Sequence, residues 1–158
     1  MMIKVLTKSI PAIFAIAIAA CGSLPERSDR EVLDDNPVAD RVVFSAIQFI
    51  GVPYKFGGTS LNGVDCSGLV YLAYQNAGMH VPRTSKEQYS KSQKVRTNSL
   101  RPGDLLFFKL QSRNVSHVGI FLGDGRFIHA PRTGKNVSYA HINNPFWSKR
   151  LVSAGRFY

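Results

Sequence analysis

The chain has 158 residues and a mass of 17.5 kDa, with 44% hydrophobic and 19% charged residues. This is enough apolar sequence for one domain with a hydrophobic core, and it excludes a disordered chain, a collagen and a coiled coil. The 20 Lys and Arg residues outnumber the 10 Asp and Glu residues and give a net charge of +10, which indicates acidic partners. Two cysteines, Cys21 and Cys66, are too few for a disulfide framework.

Residues 1–20 have the pattern of an export signal. Two lysines precede an apolar stretch that ends in small residues and is too short to span a bilayer as a helix. The sequence Ile18-Ala19-Ala20-Cys21 resembles a bacterial lipobox. That resemblance implies cleavage before Cys21 and lipid attachment to this residue. Ordinary secretion with a coincidental cysteine is the alternative.

The next segment, 21–40, is predicted to be a flexible tether. It holds six of the 10 acidic residues and few bulky apolar ones. By the same resemblance, Gly22 after the lipidated cysteine implies sorting to the outer membrane, with the protein on its periplasmic face. The remaining chain, 41–158, is predicted to be the folded domain and carries 16 of the 20 basic residues. Such a charge excess fits acidic substrates, although a solvated basic face is equally typical.

A first helix is predicted at the start of the domain. Asp40 is the expected cap, apolar residues follow at helical spacing as far as Ile50, and Gly51 is the expected end. Phe44 and Phe49 are expected to pack in the core.

Two more helices and a sheet follow in chain order. One helix is predicted to open at Asp65-Cys66-Ser67-Gly68 and to end at Gly78, and a short third one follows the capping box Thr84-Ser85-Lys86-Glu87. Helices followed by an antiparallel sheet predict an α+β fold. Strands are predicted over 105–110, 117–122, 126–130 and 137–140.

Cys66 is the candidate nucleophile. The unpaired amides and positive dipole at a helix start favour a thiolate and lower the pKa of the thiol, and the Cys66 amide could stabilise an oxyanion. Export leaves this cysteine without a partner if Cys21 is lipidated. A buried, inert thiol is the alternative.

A thiol nucleophile needs a base, and four histidines are available. His80 and His141 are expected to be surface residues. His117 and His129 lie on predicted strands that flank Gly123-Asp124-Gly125.

The length of the turn between these strands decides whether the two imidazoles meet. A three-residue loop pairs Leu122 with Arg126 and places both histidines on one face, with Gly119 leaving room between them. A two-residue Asp124-Gly125 turn shifts the register by one and places them on opposite faces. A zinc site formed by the cysteine and the two histidines is a further alternative, although the tight ligand spacings of zinc sites are absent from the sequence.

Six sequence blocks in the domain resemble the NlpC-type cell-wall cysteine peptidases, which have a papain-like α+β fold. The match covers nearly all of 41–158, and the six blocks together indicate the family more specifically than any single block does. The blocks are PYKFGG (53–58), VDCSGLV (64–70), PRTS (82–85), PGDL (102–105), SHVGIFLG (116–123) and GRFIHA (125–130).

The resemblance implies a role for each site residue. Cys66 is the nucleophile, His117 the general base, and His129 orients the His117 ring, so the resemblance favours the odd loop. Tyr54 assists the oxyanion, with a packed core aromatic as its alternative. Asp65 is expected to cap its helix rather than react.

The resemblance also implies the substrate, a peptidoglycan stem peptide, with no metal or cofactor required. Arg83 and Ser85 are candidates for binding it. The run at 146–150 is similar to lipoprotein endopeptidases that cut the D-Ala–diaminopimelate crosslink, while other relatives cut between γ-D-Glu and diaminopimelate. A peptidoglycan-binding lipoprotein without activity and an acyltransferase are the rival functions. Nucleic acid is not an expected partner, because an exported protein is separated from the nucleic acid of the cell.

Overall fold

A computed structural model describes residues 36–110 and 112–158. The predicted export signal, Cys21 and nearly all of the predicted tether lie outside these residues. Among the residues described, no helix combines the length and the apolar character needed to cross a membrane.

Helix α1 (Pro37–Ile47) begins three residues before the predicted cap. The Asn36 side chain accepts a hydrogen bond from the Val38 amide at 3.0 Å, and the proline after it is already set for a first helical turn. Asp40 therefore lies in the first turn, where its charge favours the helix dipole, and the end of the predicted tether is helical.

The side chains of this segment divide between core and solvent differently from the prediction. Phe49 is buried as expected, but Phe44 is 67% exposed. The buried stripe of α1 instead contains Ala39, Val42 and Ala46. The apolar pattern alone did not show which side of the helix faces the core.

Helices α2 (Cys66–Asn76) and α3 (Ser85–Lys91) are confirmed. Gly78 follows α2 with a φ of 83°, the left-handed conformation that commonly ends a helix. Thr84 accepts a hydrogen bond from the Glu87 amide at 3.3 Å, as the capping box predicts. A fourth helix, α4 (Pro145–Ser148), was not predicted, and neither was a single 3-10 turn at Thr97–Ser99.

The α+β prediction is confirmed by a six-stranded antiparallel sheet in the order β3-β8-β4-β5-β6-β7. Strands β1 and β2 form a separate two-stranded hairpin. The strands are β1 (Thr59–Ser60), β2 (Gly63–Val64), β3 (Gln93–Val95), β4 (Leu105–Phe108), β5 (His117–Gly123), β6 (Arg126–His129), β7 (Ser138–His141) and β8 (Leu151–Arg156). Strands β1, β2, β3 and β8 were not predicted.

Both faces of the central strand β4 are covered. Leu105 and Phe107 join the larger core with α1 and α2, while Leu106 and Phe108 join a smaller core that also contains Phe127. All four residues of the strand are buried, because alternate side chains enter different cores. The site histidines lie beside the smaller core, where the ring centroids of Phe108 and His117 are 6.0 Å apart.

The β5–β6 hairpin combines the two turns that the sequence left open. Gly123 pairs with Arg126 across a two-residue turn, and both turn residues have positive φ, 50° at Asp124 and 71° at Gly125. The register then shifts between Phe121 and Gly123, so that Phe121 pairs with Phe127. This bulge restores the register predicted for the odd loop, although the predicted pairing of residues 122 and 126 is wrong.

Candidate active site

Cys66 is the first residue of α2, and the segment before it holds it there. The Asp65 carboxylate caps the helix and accepts a hydrogen bond from the Gly68 amide at 2.6 Å. The Gly58 carbonyl lies so close to Gly68 that a Cβ at this glycine would overlap it. The small residues of this block therefore allow the preceding loop to pack directly against the start of the helix.

Arg83 contacts Asp65 in the structure. Its two terminal nitrogens donate to the two Asp65 oxygens at 2.9 and 2.8 Å, and one of them also donates to the Ser67 hydroxyl at 3.0 Å. Burial opposes ionisation of Asp65, but the hydrogen bonds from Arg83 and from the Gly68 and Gly57 amides outweigh it and lower the pKa of the carboxyl. This arginine therefore fixes the segment that carries Cys66, as a bidentate ion pair does.

His117 and His129 are brought together on one face of the hairpin. His117 Nε2 and His129 Nδ1 are 3.0 Å apart, the rings are nearly perpendicular, and both residues are buried. The space that Gly119 was expected to leave between them is occupied, because a Cβ at Gly119 would overlap the Phe127 ring. The glycine thus makes room for an aromatic side chain beside the histidine pair.

The contact between the imidazoles constrains where their protons lie. If His117 is to take a proton from a thiol, its Nδ1 must be free to accept, and its Nε2 must carry the hydrogen. Nε2–H then donates to His129 Nδ1, which fixes the tautomer of His129 in turn. The second histidine can thereby orient the first and hold its reactive tautomer.

Trp147 packs on both histidines and was not predicted as a site residue. Its indole stacks on the His117 ring at a centroid distance of 5.6 Å and meets the His129 ring edge-on at 4.7 Å. It is the only tryptophan of the chain and lies in α4, two residues after the Asn144-Pro145 pair. The Asn-Pro pair is a sequence signal for the start of this helix, but it does not indicate what the tryptophan ring contacts.

Burial disfavours the charged forms of the Cys66 thiol and of both imidazoles. Burial raises the pKa of the Cys66 thiol to about 11, although the backbone amides of Val118, Ser67 and Cys66 favour the thiolate. Burial also lowers the pKa of His117 to about 3, with a contribution from His129, and that of His129 to about 4. The helix start alone does not create a thiolate at neutral pH, because desolvation has the larger effect.

Cys66 lies in a cleft with two arms, at the point where the arms meet. The arm that we call the Asp65 arm has a volume of about 400 Å³ and contains Asp65, Ser67, Arg83 and Ser85. The arm that we call the His117 arm has a volume of about 650 Å³ and contains His117, Leu110, Arg132, Phe146 and Arg150. Tyr54, Cys66 and Ser116 line both.

The other predicted residues can now be placed. Tyr54 lies at the junction of the arms, and burial, followed by the neighbouring Cys66 and Asp65, raises the pKa of its phenol, so the hydroxyl remains a donor. Ser85 lines the Asp65 arm. His80 and His141 are exposed, as predicted. Within residues 36–110 and 112–158, no group of three or more His, Cys, Asp or Glu side chains is arranged to hold a metal ion.

The site therefore combines a thiol, an imidazole held neutral by burial and in contact with a second imidazole, and hydrogen-bond donors. Such a set can attack a carbonyl carbon and return the proton to a leaving group. The transfer begins from neutral partners, so charge separates only as the reaction proceeds.

The chain matches the NlpC/P60 family over residues 51–156. It is 37% identical over 143 residues to the murein DD-endopeptidase MepH of Escherichia coli, covering 87% of this chain and 52% of that one. It is 39% identical over 132 residues to the gamma-DL-glutamyl hydrolase of Bacillus subtilis, covering 81% and 32%. This chain thus spans about half the length of the first relative and about a third of the second.

Solved structures agree with this match. An NlpC/P60 protein from Bacillus cereus superimposes with a TM-score of 0.72 at 35% identity, over 75% of this chain and 40% of that one. This chain belongs to the NlpC/P60 family and has the fold of that family.

Proposed function

We propose that this NlpC/P60 protein is a peptidoglycan endopeptidase that hydrolyses stem-peptide bonds with Cys66 as its nucleophile. The observation that carries the proposal is the shared cleft, in which Cys66 at the start of α2 meets His117, itself 3.0 Å from His129. The excess of basic residues in the domain suits a substrate rich in carboxylates.

In the proposed reaction His117 acts first as a base. The Cys66 thiol transfers its proton to His117 Nδ1 as the sulfur forms a bond to the carbonyl carbon of the scissile peptide. The resulting imidazolium is stabilised by donating its Nε2–H to His129. It then protonates the leaving amine as the carbon–nitrogen bond breaks, which leaves a thioester on Cys66.

A water molecule completes the cycle. His117 removes a proton from the water as it attacks the thioester, and the thiol is released with that proton while the acyl group leaves as a carboxylic acid. The Cys66 amide and the protonated Tyr54 hydroxyl are the proposed donors to the oxyanion in both tetrahedral intermediates.

The bond that we propose is the D-Ala–diaminopimelate crosslink. It joins two D-centres of murein, and one of the two curated relatives described above is named a murein DD-endopeptidase, while the other is named for a glutamyl bond. Support for the crosslink comes from the run at 146–150, which resembles that of lipoprotein endopeptidases that cut this bond. In the structure this run contacts the histidine pair through Trp147 and lines the His117 arm through Arg150.

We also propose that the exported chain is anchored through a lipid on Cys21 at the periplasmic face of the outer membrane. The support is the lipobox-like sequence before it. The full chain should fractionate with membranes and carry a lipid-modified Cys21 by mass spectrometry. The Cys21→Ser variant should be released, and membrane association that is unchanged in this variant would contradict the anchor.

The activity is tested by mass spectrometry of crosslinked muropeptides incubated with the full chain or with its Cys66→Ala variant. We expect dimers to be converted to monomers by the wild type alone. The His129→Ala variant should retain a small fraction of the rate, since it keeps the nucleophile and the base. Shortened stems with intact crosslinks would identify the γ-D-Glu bond instead. Absence of product from a folded wild type would support a binding protein.

A further inference from the structure

The two arms of the cleft differ in what their arginines contact. Arg83 of the Asp65 arm is bound in a bidentate ion pair. Among the described residues, by contrast, no acidic side chain forms an ion pair with Arg132 or Arg150 of the His117 arm. Within residues 36–110 and 112–158, no Asp or Glu lines that arm either. Two guanidinium groups therefore line an arm to which the part of the chain that the structure describes brings no opposite charge.

Arg150 is held in place without using up its donors. One terminal nitrogen donates to the Phe146 carbonyl at 2.8 Å, and the guanidinium lies 4.0 Å from the centre of the Phe146 ring. A guanidinium has five N–H groups, so several remain for a ligand. Arg132 is exposed on the loop after β6 and brings a second positive charge to the same arm.

The chemistry of the site indicates which part of a substrate enters this arm. His117 protonates the leaving amine in the proposed mechanism, and His117 lines this arm but not the other one. The leaving group must therefore lie on the His117 side of Cys66. The acyl part, which stays on the sulfur, is left for the Asp65 arm.

We propose that Arg132 and Arg150 form a carboxylate-binding subsite for the leaving group, selecting substrates whose cleaved amine stands on a carbon that also bears a free carboxylate. This inference rests on the proposed cleavage of the crosslink, where the amine released by diaminopimelate has this arrangement. A planar guanidinium binds a carboxylate through two parallel hydrogen bonds. A crosslink through the side chain of lysine lacks the carboxylate and would lose this contact.

The test compares two crosslinked dimers that differ in one group, the free carboxylate beside the cleaved amine or its carboxamide. The full-length wild type should cleave the carboxylate substrate with a kcat/KM about ten- to a hundredfold higher, the range expected for hydrogen bonds to a charged group. Most of the difference should lie in KM. The double variant Arg132→Gln/Arg150→Gln should bring the ratio of the two substrates close to one.

Two further variants keep the result interpretable. Arg126→Gln removes the same charge from an exposed position outside the cleft and should preserve the ratio. Arg132→Lys should retain part of it, because the charge remains without the planar fork. Arg132→Gln alone tests the subsite even if a change at Arg150 disturbs α4, and thermal unfolding reports any such disturbance.

The outcomes separate the two proposals. An active wild type that cleaves both dimers equally, or double-variant losses that are equal for both dimers, would overturn the subsite while leaving the peptidase in place. A folded wild type that cleaves neither dimer would overturn the proposed function itself. Loss confined to the carboxylate substrate supports the subsite.

Discussion

The Asp65 arm and the His117 arm both contain arginine and both reach Cys66, yet their charges are used differently. In the Asp65 arm the guanidinium of Arg83 is neutralised by Asp65. The same carboxylate also caps α2 and accepts a hydrogen bond from the loop before it. In the His117 arm the guanidinium groups have no acidic partner among the described residues. A paired charge stabilises the fold, whereas an unpaired charge remains available to bind a ligand. Arginine is therefore a structural residue in the Asp65 arm and a proposed ligand-binding residue in the His117 arm.

The largest expected difference between the arms is their response to acid. Imidazoles of the unfolded chain take up protons below pH 6.5, while His117 and His129 do so in the folded chain only near pH 3 and 4. The unfolded state then binds more protons, so stability falls as the pH falls from 7 to 4, by on the order of 5 kcal/mol for the pair. The pKa of Asp65 is already lowered, so its arm should add little in this window.

Urea unfolding at pH 7, 5.5 and 4 measures this effect. The wild type should lose stability steeply, and the double variant His117→Gln/His129→Gln should show a much flatter dependence. An equally steep loss in that variant would place the acid sensitivity elsewhere in the molecule.

The second prediction compares the arginines directly. Arg83→Met leaves the buried end of Asp65 without its partner and should lower the free energy of unfolding by about 2 kcal/mol, a value reduced by the partial exposure of the arginine. Arg132→Met should change it by less than about 0.5 kcal/mol, as is usual for an exposed position. Chemical denaturation at pH 7 measures both, and equal losses would remove the distinction between the arms.

The third prediction concerns the packing behind His117. Trp147→Ala removes the ring that covers both imidazoles and should lower kcat about tenfold, with a smaller loss in Trp147→Phe, which keeps an aromatic face. Water admitted to the site should also raise the pKa of His117, so the acidic limb of the kcat profile moves to higher pH. A lower kcat with an unmoved limb would indicate general destabilisation instead.

The smallest expected effect is electrostatic and acts from Asp65 on Cys66, where the two arms meet. The rate of Cys66 alkylation by iodoacetamide should rise with pH towards a midpoint near 11. Asp65 raises the pKa of this thiol through its charge, so Asp65→Asn should move the midpoint down by less than about one pH unit. Asparagine still caps a helix, which keeps Cys66 in place. An upward shift would contradict the assigned direction.

Local sequence was sufficient for the parts of the fold that local chemistry determines. The caps at Asp65 and Thr84 are short-range hydrogen-bonding patterns, and they occur where the sequence predicted them. The cap of α1 was wrong because Asn36 with its following proline offered a better start than Asp40. Strand β8 was missed because its pairing with β3 and β4 joins segments far apart in the chain.

The site shows the same division between local and long-range information. The sequence blocks identified Cys66 and His117, which line the same arm of the cleft, and His129, which lies 3.0 Å from His117. The ion pair of Arg83 with Asp65 was not predicted, because the two residues are 18 positions apart and their contact depends on the fold. The thiol pKa was predicted in the wrong direction because burial depends on the whole fold and exceeded the effect of the helix start.

The bulge beside the β5–β6 turn also has a consequence for how this sequence can vary in length. Side chains alternate between faces, so the number of residues between His117 and His129 has a parity, and the bulge supplies the one residue that makes it correct. A single deletion at Leu122 would turn one imidazole away from the other without touching either histidine. An insertion or deletion at the tip of this hairpin therefore preserves the site only if it changes the length by an even number of residues. A change by an odd number preserves it only if the bulge is lost or moved at the same time.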